Sequence, residues 1–288
     1  MASTEGGGAD LAEVPLAAHD IDAACGLVAE AGWNQDAADW RIFLERGSAL
    51  AVKTPGRRLV ATAATLPYPS GFGWISMVLV AAAFRRRGIA TRLLQACISQ
   101  LRDSGMIPVL DATPAGREVY KPLGFRDGWP IQRWRRRSPD TVSPKSAART
   151  VSNDDWSEVL RLDAHAFGCD RSWLLEGLRG RSSGFACVVE ERGKLRGFLL
   201  GREGRLATQL GPIVAADDAS AASLAACALR RLEGQVIVDT LQRHTGFGAW
   251  LEAHGFERER PYTRMALGRD ELFGDPERTF AIAGPELG

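Results

Sequence analysis

The chain has 288 residues, with 36 Lys or Arg against 35 Asp or Glu, so its formal net charge is +1. This length leaves room for two domains of ordinary size, each able to bury its own core. A nearly neutral chain has no overall field to attract nucleic acid or an anionic membrane, so we expect neither as a partner. Five scattered cysteines without metal-like spacing predict a reducing, cytoplasmic environment and no metal.

Two segments have the composition of chain outside a folded domain. Residues 1–10 are small, polar and glycine-rich, and they lack the basic start and apolar core of a secretion signal. We expect a disordered tail there. Residues 138–148 include Pro139 and Pro144 without a large apolar cluster, which predicts a linker. The two domains would then be 11–137 and 149–288.

Hydrophobic periodicity predicts alternating helices and strands along the first half. In chain order the predicted elements are helices at 20–31 and 37–46, strands at 48–52, 59–64 and 74–80, a helix from 90, a strand at 108–111, a helix from 115 and a strand at 132–135.

The stretch from Trp74 to Thr91 joins an apolar strand to a basic turn that opens a helix. Backbone N–H groups at a helix N-terminus have no intrahelical acceptor, and the helix dipole makes that end positive. Gly88 lets the backbone approach an anion closely. The pattern therefore predicts a phosphate-binding turn. No G-x-G-x-x-G follows a predicted strand and no G-x-x-x-x-G-K-[ST] occurs, which excludes two other nucleotide-binding motifs.

Two motifs carry a resemblance to a known family. The pattern R-x-x-G-x-A starting at Arg85 resembles the acetyl-CoA-binding signature of the GNAT superfamily of N-acetyltransferases, and Tyr120 followed by Leu123-Gly124-Phe125 resembles its second signature. The resemblance implies an α/β fold with a mixed, mainly antiparallel sheet flanked by helices. It also implies that acetyl-CoA binds as co-substrate along the third strand and the turn, at Val78, Leu79, Val80, Arg85, Arg86, Arg87, Gly88, Ile89, Ala90 and Thr91.

The second half repeats the predicted order of elements, with helices at 153–166 and 173–178, strands at 185–190, 195–201 and 207–214, a helix at 220–232, a strand at 235–239, a helix at 247–253 and a strand at 263–267. The motifs are not repeated, however. Leu251 stands where the first half has Tyr120, and Asp217 and Asp218 replace the arginines and would repel a pyrophosphate. The chain therefore resembles a tandem GNAT protein with a catalytic first module and a degenerate second one.

The resemblance implies direct attack of an amine on the thioester, with Tyr120 protonating the departing CoA sulfur. Asp111 is our candidate for the general base, with capping of the following turn as the alternative; Asp39 and a chain of water molecules also stay open. Trp33, Asn34 and Trp40 are candidates for the acceptor pocket, with packing in the core as the alternative. The basic run from 133 to 137 is interpreted as a solvated terminal strand rather than a nucleic-acid site.

Taken together, these patterns predict an acetyl-CoA-dependent N-acetyltransferase that acts on a primary amine of a small molecule in its first half. Two alternatives stay open at this point. One is a non-catalytic acyl-CoA-binding or regulatory protein, and the other is transfer to a protein lysine or N-terminus. The acceptor and the oligomeric state are not determined by these patterns.

Overall fold

The computed structural model describes residues 11–137, 146–182 and 184–288. The predicted tail at 1–10 and the part of the predicted linker at 138–145 lie outside the described residues. Within the described part, the helices are α1 (Ile21–Glu30), α2 (Ala37–Arg46), α3 (Ile89–Asp103), α4 (Pro114–Tyr120), α5 (Trp156–Phe167), α6 (Ser172–Arg181), α7 (Asp218–Leu229) and α8 (Thr245–Ala253).

The strands follow the same chain-order numbering. They are β1 (Ala12–Pro15), β2 (Ser48–Lys53), β3 (Leu59–Tyr68), β4 (Phe72–Val80), β5 (Ile107–Ala112), β6 (Phe125–Arg136), β7 (Arg149–Thr150), β8 (Cys187–Glu191), β9 (Lys194–Arg202), β10 (Thr208–Ala215), β11 (Val236–Leu241), β12 (Glu257–Leu267) and β13 (Thr279–Ala281). The fold class is the predicted one, a mixed sheet flanked by helices.

The predicted helices and strands are all present, and short polar side chains fix several helix starts. The Asp36 carboxylate accepts hydrogen bonds from the backbone N–H groups of Ala38 and Asp39 at the start of α2. Thr113 accepts from Gly116 N in the same way and starts α4. Strands β1, β7 and β13 were not predicted, since each is no longer than four residues.

The strands β6 and β12 are much longer than their sequence pattern predicts. Each contains a proline, Pro130 in β6 and Pro261 in β12, that reads locally as the end of a strand. The two strands pair antiparallel along most of their length, from Glu257 opposite Arg135 to Leu267 opposite Phe125. This pairing extends both strands through positions that local propensity would assign to a turn.

All described strands belong to one continuous sheet, in the order β1-β2-β3-β4-β5-β12-β6-β11-β13-β10-β9-β8-β7. The halves exchange their long terminal strands at its centre. Strand β12 of the second half lies between β5 and β6, with Arg264 opposite Asp111, and β6 of the first half pairs with β11, with Arg133 opposite Asp239. The sheet therefore brings side chains of both halves to its centre.

The segment 282–288 contacts residues of both halves on one face of the sheet. The Tyr68 hydroxyl donates to the carbonyl of Leu287 at 2.6 Å, and the Trp74 indole donates to that of Pro285 at 3.0 Å. Arg171, paired with the buried Asp163, donates to the carbonyl of Gly288. Four helices, α1, α2, α5 and α6, pack on this face in a single apolar cluster with the segment.

We predict that a fragment of residues 11–137 does not reproduce the stability of the whole chain. It lacks β12, so both β5 and β6 lose a neighbour, and it exposes the apolar face covered by α5, α6 and the segment 282–288. Chemical denaturation of the fragment should show self-association or loss of a cooperative transition. A monomeric fragment that unfolds cooperatively at the midpoint of the whole chain would contradict this.

A second prediction concerns Asn34, which joins the first half to the loop before β10. Its side-chain amide donates to the carbonyl of Ala207 and accepts from the N–H groups of Leu206 and Ala207. Asn34→Ala leaves these buried groups unpaired, so we expect a loss of about 2 kcal/mol in the free energy of unfolding. The control is Asn153→Ala, because Asn153 is exposed and its side-chain oxygen accepts from the half-buried Arg179, so its loss should cost much less. Equal losses would rule out the bridging role of Asn34.

Candidate functional site

Strands β4 and β5 separate from one another halfway along their length. They pair in parallel from Phe72 opposite Ile107 to Trp74 opposite Val109, and beyond this point each continues without the other. A β-bulge adds to the separation, because Thr62 and Ala64 of β3 pair with Leu79 and Ser76, which leaves two residues of β4 opposite one. We call the gap after Trp74 and Val109 the first-half opening.

The residue that forms the bulge, Met77, has a φ of 54°, in the left-handed region that non-glycine residues rarely adopt. The Thr62 hydroxyl donates to the Met77 carbonyl at 2.9 Å and holds this conformation in the buried interior. The bulge changes the direction of the β4 backbone at the edge of the opening, where extended chain lies free to pair with a ligand.

The basic turn follows the end of β4 and leads into α3. Gly88 caps the helix with a φ of 74°, and a Cβ placed there would meet no other atom within 4 Å, so glycine is required by backbone conformation and leaves space for a ligand. The side chains of Arg85, Arg86 and Arg87 are exposed, and the first turn of α3 carries no acidic residue. Free N–H groups, the helix dipole and three guanidinium groups therefore make this turn suitable for an anion.

Tyr120 lies at the last residue of α4, beside the same opening. Gly116 makes room for its ring, because a Cβ at that position would lie only 3.0 Å from the Tyr120 ring. Burial raises the pKa of the Tyr120 phenol above its ordinary value. The phenol is therefore protonated at neutral pH and can donate its proton into the opening.

A cavity of about 140 Å³ lies in the first-half opening, and we call it the central cavity. Its lining residues come from both halves of the chain: Trp33, Gln35, Ile75, Ser76, Met77, Val78, Leu110, Asp111, Thr113, Tyr120, Arg133, Arg260, Tyr262, Pro285 and Glu286. Strands β4 and β5 and helix α4 contribute lining residues from the first half. Strand β12 and the segment 282–288 contribute lining residues from the second half.

Asp111 lines the central cavity but is not a free carboxylate. Both of its oxygens accept hydrogen bonds from Arg264 of β12, each at 2.9 Å, and its side chain is fully buried. Burial raises the pKa of Asp111, and the Arg264 guanidinium opposes this effect. The predicted alternative for Asp111, capping of a turn, is not what the structure shows, since Thr113 caps α4.

Of the three residues predicted for an acceptor pocket, only Trp33 lines the central cavity. Asn34 instead uses its side chain to hold the loop at 206–207, as described above. Trp40 is completely buried in the apolar core under α2. Asp39, the alternative base, is also fully buried, and its carboxylate pairs with Arg181 and Arg202.

The interpretation of residues 133–137 as a solvated terminal strand is wrong for two of its arginines. Arg133 is 3% exposed and Arg136 is 7% exposed. Strand β6 lies between β11 and β12 inside the sheet and is not an edge strand. Arg133 forms two hydrogen bonds of 2.7 Å with Asp239 of β11. Its partner lies 106 residues away in the chain, so no local pattern indicated that Arg133 would be buried.

Four further cavity residues come from segments that sequence reasoning did not connect with a site. Arg260 and Tyr262 lie in the part of β12 that was not predicted as a strand, and Pro285 and Glu286 lie in a segment without regular periodicity. In the sequence, Glu286 is only a glutamate between Pro285 and Leu287. Its burial is known from the structure, and no local pattern connects it with the first-half opening.

The corresponding place in the second half is already occupied. Strands β10 and β11 pair in parallel from Thr208 to Leu210, as β4 and β5 do, but the short strand β13 then pairs with both of them. At the start of α7, Asp217 accepts from Ser220 N, and Asp218 accepts from Phe247 N of α8. Carboxylates of the chain itself therefore occupy the helix N-terminus that would receive an anion.

Two further properties concern metal and membrane binding. In residues 11–137, 146–182 and 184–288, no group of three or more His, Cys, Asp or Glu side chains is arranged to hold a metal ion. No helix of these same residues has both the length and the apolar character required to cross a bilayer.

Sequence comparisons give two related proteins. The chain is 27% identical over 187 residues to the uncharacterized N-acetyltransferase YitH of Bacillus subtilis, a match that spans 64% of this chain and 66% of that protein. It is 26% identical over 233 residues to the holothin acyltransferase of a Pseudoalteromonas species, spanning 80% and 78% of the two chains.

Structural and family comparisons agree with the fold. A putative acetyltransferase of Pyrococcus horikoshii has a similar structure, with a TM-score of 0.80, 19% sequence identity and coverage of 100% of this chain and 99% of that one. The acetyltransferase (GNAT) family profile matches residues 18–125, and an acetyltransferase (GNAT) domain profile matches residues 159–281. The chain therefore belongs to the GNAT family of acetyltransferases and contains two GNAT domains in tandem.

Proposed function

We propose that this protein transfers an acetyl group from acetyl-CoA to the primary amine of a small molecule, and that the reaction takes place at the first-half opening. The observation that carries the proposal is a difference between the halves. In the first half, β4 and Tyr120 line one opening and the basic turn follows the end of β4, whereas β13 pairs with both strands at the equivalent place in the second half.

In this proposal the basic turn binds the diphosphate of acetyl-CoA. The N–H groups at the start of α3 supply hydrogen bonds, and the side chains of Arg85, Arg86 and Arg87 add positive charge. The pantetheine arm then runs along the free edge of β4, where extended backbone pairs with its amides. We propose that the N–H groups near Leu79 and Val80 polarise the thioester oxygen as negative charge develops on it.

Two proton movements complete the reaction. The amine loses a proton as it attacks the thioester carbon, and the CoA sulfur gains one as its bond to that carbon breaks. Tyr120 supplies the second proton, because its raised pKa keeps it protonated until CoA leaves. For the first proton, Asp111 and a water chain remain alternatives, and the Asp111 carboxylate would have to accept it while still paired with Arg264.

The shape of the central cavity supports a small acceptor. Tyr262 of β12, Pro285 and Glu286 contribute to its wall, and its volume of about 140 Å³ is of the size that holds a small organic molecule. All five cysteines are free, which supports a reducing cytoplasm as the place of action.

Replacing the tyrosine tests the acid role directly. Tyr120→Phe retains the ring that packs beside Gly116 and Phe125 but removes the proton. We expect kcat to fall by about 10²-fold, with the Kd for acetyl-CoA changed little. Steady-state kinetics with an accepted amine, together with calorimetric binding of acetyl-CoA, provides both values. An unchanged kcat would show that Tyr120 serves only in packing.

Gly88→Glu tests the position of the cofactor, because it puts a side chain and a negative charge where the diphosphate is expected. Acetyl-CoA binding, measured by calorimetry, should then be lost. Gly193→Glu is the matched control, since Gly193 also has a positive φ and open space around it but lies in a hairpin of the second half. Normal binding by a folded Gly88→Glu variant would mean that the diphosphate lies elsewhere. Binding without turnover by the unaltered protein would favour a non-catalytic acyl-CoA-binding role.

A further inference from the structure

We propose that the acceptor carries a carboxylate in addition to its amine, and that Arg260 binds this carboxylate inside the central cavity. The inference rests on the proposed function, because it concerns the substrate of that same site. It derives from the charges on the wall that the second half contributes.

Two arginines face each other at the centre of the sheet. Arg260 of β12 lies directly opposite Arg133 of β6, and the two guanidinium groups lie 5.4 and 5.3 Å from the centre of the Tyr262 ring. Like charges opposite one another on neighbouring strands are destabilising unless an anion compensates them. The chain supplies one such anion, the buried Asp239, and both of its oxygens are bound to Arg133.

Arg260 is left without a carboxylate of its own. Among the described residues, no Asp or Glu oxygen lies within the 4.0 Å ion-pair distance of its guanidinium, and its buried Nε has no hydrogen-bond partner. Its neighbour Glu259 is paired with Arg135 instead. Arg260 therefore presents a guanidinium group without an ion-pair partner among the described residues at the cavity wall, where planar recognition of a carboxylate is favourable.

The part of the cavity wall around Glu286 carries acceptor oxygens of carboxylate and amide groups. Glu286 accepts from Gln35 Nε2 at 2.6 Å and pairs with Arg202, which it shares with the buried Asp39 at 2.9 Å. Arg202 thus pairs with two buried carboxylates, of which Asp39 also pairs with Arg181, and the buried Oε1 of Gln35 has no partner. Oxygens of this kind suit an ammonium group or an amine N–H.

A third unpartnered polar atom belongs to the same cavity wall. The hydroxyl of Ser76 on β4 is buried, lines the central cavity and makes no hydrogen bond in the described chain. Unpaired buried polar groups are costly, and three around one cavity indicate that a polar ligand completes them. An acceptor with an amine and a carboxylate, such as an amino acid, supplies both the donors and the acceptors that these atoms lack.

The experiment compares acceptors that differ only in the anionic group. Initial rates are measured for a panel of amino acids, for the amines that result from removing each carboxylate, and for the matching aminoalkylphosphonates. For the unaltered protein we expect kcat/KM at least about 10-fold higher for the amino acids than for the decarboxylated amines. Arg260→Gln should lower kcat/KM for the amino acids by about 10-fold to 100-fold, mainly through KM, and should leave the decarboxylated amines within about threefold.

Arg258→Gln is the matched control. Arg258 lies in the same strand and packs over Trp134, but it lines a different cavity beside α8. This variant should retain the preference for the amino acids. Its retention, together with the loss of preference in Arg260→Gln, would support the assignment.

Several results would overturn the inference. For the unaltered protein, these results are an equal or greater rate with the decarboxylated amines, a higher rate with the phosphonates, or no reaction with any member of the panel. For the variants, they are a preference for the carboxylate that survives Arg260→Gln, or one that is lost equally in Arg258→Gln. Acetyl transfer without a preference for the carboxylate would overturn this inference alone. The proposed function itself would fail if no amine were acetylated and if Gly88→Glu left acetyl-CoA binding intact.

Discussion

The insertion of β12 between β5 and β6 is the constraint on which the rest of the structure depends. Backbone hydrogen bonds on both sides of β12 fix its register, and the register places Arg264 beside Asp111 and Arg260 beside Arg133. A shift of one residue would turn all of these side chains to the other face of the sheet. The side chains that line the central cavity therefore depend on strand pairing, and both halves contribute to its wall.

The two halves share one fold, but the gap between the parallel strands is open in the first half and occupied by β13 in the second. In the first half, the gap between β4 and β5 stays open and the helix that follows begins with Gly88. In the second half, three residues of β13 pair with both strands that would border the gap, and Asp217 and Asp218 satisfy the nearby N–H groups. The second half has the same architecture, and its β12 and segment 282–288 contribute residues to the wall of the central cavity.

Much of the fold could be predicted from the sequence, because element type depends on local patterns. The repeated order of helices and strands and the turn before α3 are such features. Which strands pair across the halves depends on interactions far apart in the chain, and this explains why the exchange of β6 and β12 was not predicted. The burial of Arg133 has the same origin, since its partner Asp239 becomes its neighbour only through β11. The roles of Tyr120 and the basic turn stay predictions, supported by the position of Tyr120 beside the opening and of the turn at the end of β4.

A crystal structure of the protein with acetyl-CoA tests the central claim most directly. The account predicts one acetyl-CoA in each chain, with its diphosphate on the N–H groups around Gly88, its pantetheine along β4 and its sulfur within hydrogen-bond distance of the Tyr120 hydroxyl. The carbonyl carbon of the thioester should face the central cavity. Acetyl-CoA found beside α7 in the second half, with β13 displaced and the first-half opening empty, would contradict the account.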